Sequence, residues 1–143
     1  MRGDAPGGHS PDLVEPVRLG FDALNRRDVD GLMSNWAPDA VWDLNAWGIG
    51  TFEGVAAIRG FVADWLGNYE DYLAESEEIL DLGRGVVFVA YREVARPLGS
   101  EGRLERRHAQ VVLFVQGSVE RFTTYTDIDE ARAAAERLAK ERE

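Results

Sequence analysis

The sequence predicts an α+β fold in which a curved antiparallel sheet wraps around N-terminal helices, making a cone with an interior pocket. Two observations carry this. Asn25–Asp43 (NRRDVDGLMSNWAPDAVWD) and Thr51–Trp65 (TFEGVAAIRGFVADW) compress a short helix, a proline, a tryptophan-bearing strand, a glycine turn and an apolar helix into one compact stretch. From Tyr72 onward the apolar period changes to two, and four segments joined by turn signals follow one another as a meander. With 143 residues, 45% of them hydrophobic, one domain with its own core is expected.

Met1–Asp12 is rich in glycine, proline and small polar residues and is expected to be a mobile tail carrying His9, ahead of a single domain over residues 13–143. Pro16 lacks an N–H and suits only the first turn of a helix, so the first helix is expected from about Glu15, with Val17, Phe21 and Leu24 on one face. Asp28 is an N-cap type ahead of a short second helix carrying Leu32, Met33 and Trp36, which Pro38 is expected to end by restricting Ala37. Ala40–Leu44 follows as a strand, Asn45–Gly50 as a loop and Glu53–Gly54 as a turn, after which Ile58, Phe61, Val62, Trp65 and Leu66 recur at helical spacing. Strands are expected over Tyr72–Leu82, Val86–Ala95, Leu104–Val115 and Ser118–Thr126, with tight hairpins at Gly83–Gly85 and Gln116–Gly117 and a longer loop at Pro97–Gly102. Asp127 and Glu130 have capping-box spacing for a polar C-terminal helix.

The two middle strands are apolar on both faces. Val87 and Val89 are expected with Val111 and Leu113 on one face, and Phe88 and Ala90 with Val112 and Phe114 on the other. A half-solvated antiparallel sheet alternates, so each face here has a cover. The reading taken is helices on one side and a second copy on the other, a homodimer through the sheet. In the alternative, the C-terminal helix covers that face within one chain.

Composition excludes several classes. The chain has no cysteine, which removes disulfide and thiolate chemistry and fits a reduced cytoplasmic setting. No apolar run approaches the ~20 residues that cross a bilayer, and the first residues lack a signal peptide's apolar core, so a soluble protein without membrane contact is expected. Twenty-six acids against sixteen bases give a net charge of −10, which repels phosphate backbones and argues against a nucleic-acid partner. One histidine outside the tail and no cysteine make no nitrogen or sulfur ligand set, and the acids between Glu70 and Asp81 lack calcium-loop spacing. No metal and no cofactor are expected.

Four tryptophans, Trp36, Trp42, Trp47 and Trp65, crowd the N-terminal half, three of them on elements that would wall the cone. They suit a flat apolar or aromatic ligand, and they equally suit ordinary core packing. The expected register sets Ser76 opposite Arg92, Arg92 opposite His108 and Ala90 opposite Gln110, giving a polar patch of Arg92, His108 and Gln110 beside an apolar surface of Phe88, Val112 and Phe114. His108 is the first candidate for moving a proton near neutrality, and a strand-surface role is its alternative. Asp43, at the expected cavity mouth, is the second; strand alternation also allows it to face outward. Tyr91 and Tyr125 are candidate phenolic donors.

This order of elements resembles the nuclear-transport-factor-two-like superfamily, and especially its SnoaL-like polyketide-cyclase branch, over Val14–Asp127. RRDVDGLMSNW, the DAVWD strand, FEGVAAIRGF and the closing GSVERFTTYTD carry the resemblance. It implies a cystatin-like or SnoaL-like cone and a membership that includes isomerases, epoxide hydrolases, cyclases, dehydratases and non-catalytic binding or dimerisation modules. Ketosteroid isomerases carry an aspartate on the first strand and a proton-donating acid in the meander, where matching puts Leu44 and Gln110. For the Asp-Arg-Asp arrangement of limonene-epoxide-hydrolase-like enzymes, matching puts Arg92 at the arginine but Val94 and Thr124 at the acids. Neither mechanism transfers intact. The resemblance to SnoaL-like cyclases implies acid–base residues in the cavity, for which His108 and Asp43 stand. Two functions are therefore carried forward: a small apolar or cyclic ligand bound in the cavity with cofactor-free acid–base chemistry of the cyclase or isomerase type, and a non-catalytic binding or dimerisation module.

Overall fold

The computed structural model describes residues 12–143, so the expected tail, Asp12 apart, lies outside the described residues. Helices α1 (Val14–Asn25) and α2 (Val29–Met33) lead into strand β1 (Trp36–Leu44), a single 3-10 turn at Asn45–Trp47 and strand β2 (Gly50–Glu53). Helix α3 (Val55–Gly67) precedes the long strands β3 (Tyr69–Gly83), β4 (Val86–Pro97), β5 (Leu104–Val115) and β6 (Ser118–Tyr125), and α4 (Ile128–Glu141) closes the chain. The six strands form one sheet in the order β2-β1-β6-β5-β4-β3, antiparallel throughout except where β1 runs parallel to β6. Among the described residues no helix is long and apolar enough to cross a membrane.

Local chemistry explains the element ends. The Asp28 carboxylate accepts the Gly31 N–H at 2.9 Å and starts α2, and Asp127 accepts the Glu130 N–H at 3.0 Å and starts α4. Trp36 opens β1 rather than closing α2, and Pro38 lies inside that strand. Proline is tolerated there because the pairing with β6 is interrupted between Trp36 and Val41. At the hairpin into β4, Gly85 has φ +82°, and a Cβ on it would meet the Phe114 carbonyl oxygen at 2.2 Å. Only glycine fits that approach.

The helical layer is tied to the sheet by side chains. Asn25 pairs with both backbone groups of Ala74, accepting at 2.8 Å and donating at 2.9 Å, while Arg27 donates to the carbonyls of Leu66 and Tyr69. These bonds fix the ends of α1 and α3 against the start of β3, leaving the helices to arch over the concave face.

The register differs from the expected one by a single residue. Tyr91 stands opposite His108, Arg92 opposite Arg107 and Val89 opposite Gln110; on the other side, Ser76 faces Tyr91 and Glu75 faces Arg92. Between β4 and β5 the step lies in the Pro97–Gly102 loop, and between β3 and β4 it lies in the irregularity between Ser76 and Glu78; one step turns every side chain over. Val87, Val89, Val112 and Phe114 consequently share the concave face, whereas Val86, Phe88, Ala90, Ala109 and Val111 form the other.

That second face is covered within the chain. Ala131, Ala135 and Ala139, spaced by four, form a buried small-residue seam through which α4 lies on Val86, Phe88, Ala90, Ala109 and Val111. The apolar second face therefore calls for no second copy, and the inference of a homodimer from that face loses its premise.

Candidate functional site

The concave face changes character along its length because the register stacks its pairs in order. Val87 faces Val112, Val89 faces Gln110, Tyr91 faces His108 and Glu93 faces Arg106. An apolar floor thus becomes a charged end over four pairs. Helices α1 and α3 close over it and leave a cavity of about 120 Å³, lined by Phe21, Leu24, Phe61, the indoles of Trp36, Trp42, Trp47 and Trp65, the amides of Asn35 and Gln110, and the phenols of Tyr72 and Tyr91. Glu93 is the one ionisable carboxylate in that lining.

Glu93 is the residue that sequence reasoning missed. Its side chain is 1% exposed; the Tyr72 hydroxyl donates to Oε2, the Arg106 Nη2 lies 2.6 Å from Oε1, and the His108 Nε2 lies 3.6 Å from the same oxygen. Burial alone would raise this carboxyl. His108, the Tyr72 phenol and the Arg106 charge outweigh burial and hold it below the ordinary carboxylate value, so it is ionised at neutral pH. Burial first, then the Glu93 charge, pushes the phenols of Tyr72 and Tyr91 well above the usual tyrosine value, which keeps both protonated. The Gln110 amide donates to the Tyr91 oxygen at 3.4 Å. His108 is 6% exposed, packed at 4.7 Å from the Trp47 ring and 5.6 Å from Tyr91, and neither of its ring nitrogens has a hydrogen-bond partner.

Of the sequence candidates, Trp36, Trp42, Trp65, Gln110 and Val112 lie on the cavity wall. His108 sits just behind it, against Trp47 and Glu93. Four others are elsewhere, and the one-residue register step moves two of them, Arg92 and Phe88. Arg92 points outward and pairs with Glu75 and Glu105, each at 2.8 Å. Phe88 lies under α4 with the Arg132 guanidinium 4.5 Å from its ring centre. Tyr125, opposite Ala109 on β6, shares that face. Asp43 faces outward by strand alternation, pairs with Arg121 at 3.2 Å and lines, with Tyr125, a separate cleft of about 300 Å³ beneath α4. Asp43 and His108 therefore do not converge. The signal for Glu93 was available in its parity with Val87, Val89 and Tyr91 within VVFVAYREV, and its opposite charge to Arg106 is the cross-strand pairing that the correct register would have displayed.

A family model described as the SnoaL-like domain matches residues 17–133. Among solved structures, the chain is similar to TerC co-crystallised with polyporic acid, at 19% identity and a TM-score of 0.68, over 86% of this chain and 97% of that one. It is also similar to an NTF2-like protein of unknown function from Burkholderia pseudomallei, at 20% identity and a TM-score of 0.71, over 85% and 95% of the two chains. A hypothetical protein from Catenulispora acidiphila with a ketosteroid isomerase-like fold, in complex with trimethylamine, matches at 16% identity and a TM-score of 0.70, over 85% and 92%. At these identities the likeness shows the fold. No curated protein matches.

Proposed function

The chain belongs to the SnoaL-like domain family, and from that premise we propose that it binds a small apolar or cyclic molecule in the cavity and that Glu93 with His108 supplies cofactor-free acid–base chemistry of the cyclase or isomerase type. The observation that carries this is a single ionised carboxylate at the end of an otherwise aromatic, apolar chamber, with an imidazole 3.6 Å from it. A base has to be ionised and within reach of its proton; the depressed carboxyl of Glu93 meets the first condition and its place in the lining the second. The small molecules held by TerC and by the Catenulispora acidiphila protein support a ligand-holding role for this fold.

Proton transfer to and from a bound ring can be followed without knowing the natural substrate. Cyclohexanone incubated with the protein in D₂O is expected to gain deuterium beside its carbonyl, and Glu93→Gln to slow this by roughly 100-fold or more while still binding the ketone. The wild-type rate should hold as pH falls to the ordinary carboxylate value and fail only below it, because the carboxyl titrates lower than usual. Binding without exchange would favour the second reading, a non-catalytic binder. That reading has its own support in the engagement of both Glu93 oxygens by Tyr72 and Arg106.

A homodimer through the sheet belongs to the same proposal. Its remaining support is the strip of outer face beyond α4, where Leu73, 42% exposed, stands opposite Val94. Sedimentation equilibrium is expected to give twice the chain mass, with Leu73→Lys returning a monomer; a monomeric wild type removes the dimer.

A further inference from the structure

The turn between β1 and β2 lies at the surface and sends one ring inward. Asn45, Ala46, Gly48 and Ile49 are exposed, while the indole of Trp47 among them forms part of the cavity wall, 5.5 Å from Trp65 and 4.7 Å from His108. This is the charged end of the chamber, since the His108 imidazole lies 3.6 Å from Glu93. The wall here is carried by a surface turn rather than by a helix or a strand.

The turn is fastened mainly to itself. Among the described residues its hydrogen bonds stay within one hairpin: the Asn45 N–H donates to the Asp43 carboxylate at 3.0 Å and the Asn45 amide to the Thr51 hydroxyl at 3.2 Å, while the Gly48 N–H reaches the Asn45 carbonyl at 2.9 Å and the Ile49 N–H the Leu44 carbonyl at 3.3 Å. The first two clamp the stem. None of the four reaches α3 or β5, so the turn grips those elements through the packing of its indole on Trp65 and His108. Gly48 and Gly50 follow the indole with φ +73° and +105°, and a Cβ on either would meet nothing within 4 Å. Packing demands neither glycine, and both supply backbone freedom for a pivot.

The closed arrangement also leaves polar atoms bare. The Nε1 of Trp47 and both ring nitrogens of His108 are buried beyond the reach of water and have no hydrogen-bond partner in the protein. In the same wall the Trp42 indole donates to the Thr124 hydroxyl at 2.9 Å. Buried polar groups are normally paired, so lifting the turn returns water to three nitrogens and offsets part of the packing that is lost.

We propose that residues 45–50 are a hinged flap with Trp47 as its plug, and that small molecules and water reach the Glu93 end of the chamber when it lifts. The proposal rests on the cavity reading above and adds how that site is entered.

His108 reports the opening without any ligand, because its nitrogens are sealed while the flap is down. Diethyl pyrocarbonate acylates accessible imidazole, and mass spectrometry of the peptide carrying His108 follows the reaction. The wild type is expected to react roughly 100-fold more slowly than N-acetylhistidine, as for a state open about 1% of the time. That rate should not change in about 0.5 M urea, since a local opening exposes little surface and global unfolding exposes much. Trp47→Ala should raise it roughly tenfold or more, whereas Trp47→Phe, which keeps a plug, should stay within about threefold of wild type. A wild-type His108 that is inert while Trp47→Ala reacts makes Trp47 a fixed wall and overturns the proposal. Equal rates in the two proteins also overturn it, as does a wild-type rate that climbs with urea, which decides the matter even if Trp47→Ala does not fold.

Cyclohexanone tests the port. NMR line shapes are expected to show its association and dissociation rates rising together in Trp47→Ala, each by about tenfold, as removal of a gate requires. Faster dissociation alone reports a lost contact and overturns the port. If the wild type binds no ketone, the cavity reading and the port fail together, while the His108 rates still decide whether the flap opens.

Discussion

Glu93→Ala is expected to be the most damaging single substitution at the site, lowering stability by about 3 kcal/mol, the lower end of the range for breaking a buried ion pair. The carboxylate is 1% exposed and compensates an Arg106 guanidinium that is 37% exposed, while also accepting from Tyr72 and facing His108. Removing it strands one phenol and one imidazole in a wall that water barely reaches and leaves the half-buried guanidinium of Arg106 without its counter-charge. The partial exposure of Arg106 keeps the effect from the upper end. For a chain of 143 residues this corresponds to a melting temperature lower by about 10 °C, checked by calorimetry. The sign with pH follows from the direction of the shift. A carboxyl held below its unfolded value contributes stability that is fully present above the unfolded pKa and is lost as pH falls through the folded one. The wild type should therefore lose stability on acidification below about pH 4.5, and Glu93→Ala should lack that component of the acid transition.

Phe88→Ala is expected to lose about 3–4 kcal/mol, as a fully buried aromatic ring does when the space it leaves does not collapse. The ring is fully buried under α4, against the alanine seam and beneath the Arg132 guanidinium. Its loss opens a hole between sheet and helix, on the side away from the cavity. Ligand affinity at temperatures where the variant is folded should be unchanged within about twofold, because the ring packs on the face of the sheet opposite the cavity. Chemical denaturation measures the first quantity and an NMR titration the second. A Phe88 truncation that weakened binding at constant fold would return this residue to the cavity wall and reverse the register.

Much of the architecture was legible because it is written in local chemistry. Asp28 and Asp127 start helices through side-chain acceptors, and the glycine turns separate strands whose period of two is plain in the letters. Trp36 was misread because Pro38 looks like a helix stop; nothing local announces that β1 begins first and breaks its own pairing to accommodate the proline. The site was legible as a set of residue types and illegible as a constellation. Which of Arg92 and Glu93 faces inward depends on one step of register, and that step is set by how the Pro97–Gly102 loop spends its residues. His108 lay on the concave side under either register, but the residue opposite it changed from Arg92 to Tyr91, with the Glu93 carboxylate 3.6 Å away. Asp43 was at a true strand but on the face away from the cavity, an alternation that the five residues Ala40–Leu44 could not orient without knowing what lay beneath. The alanines of α4 were passed over because a charged helix surface hides a seam of small side chains.

The parallel contact of β1 with β6 joins Trp42 to Phe122, so the strand made early in synthesis waits for almost the last one before its second edge is filled. Until then the chamber has no complete rim. Such distant pairing makes closure a late and comparatively slow event, and the nascent N-terminal segment carries an unpaired edge for most of translation. A ribosome-tethered chain stopped before Ser118 should accordingly offer no enclosed space to any small molecule, whatever its helices have already formed.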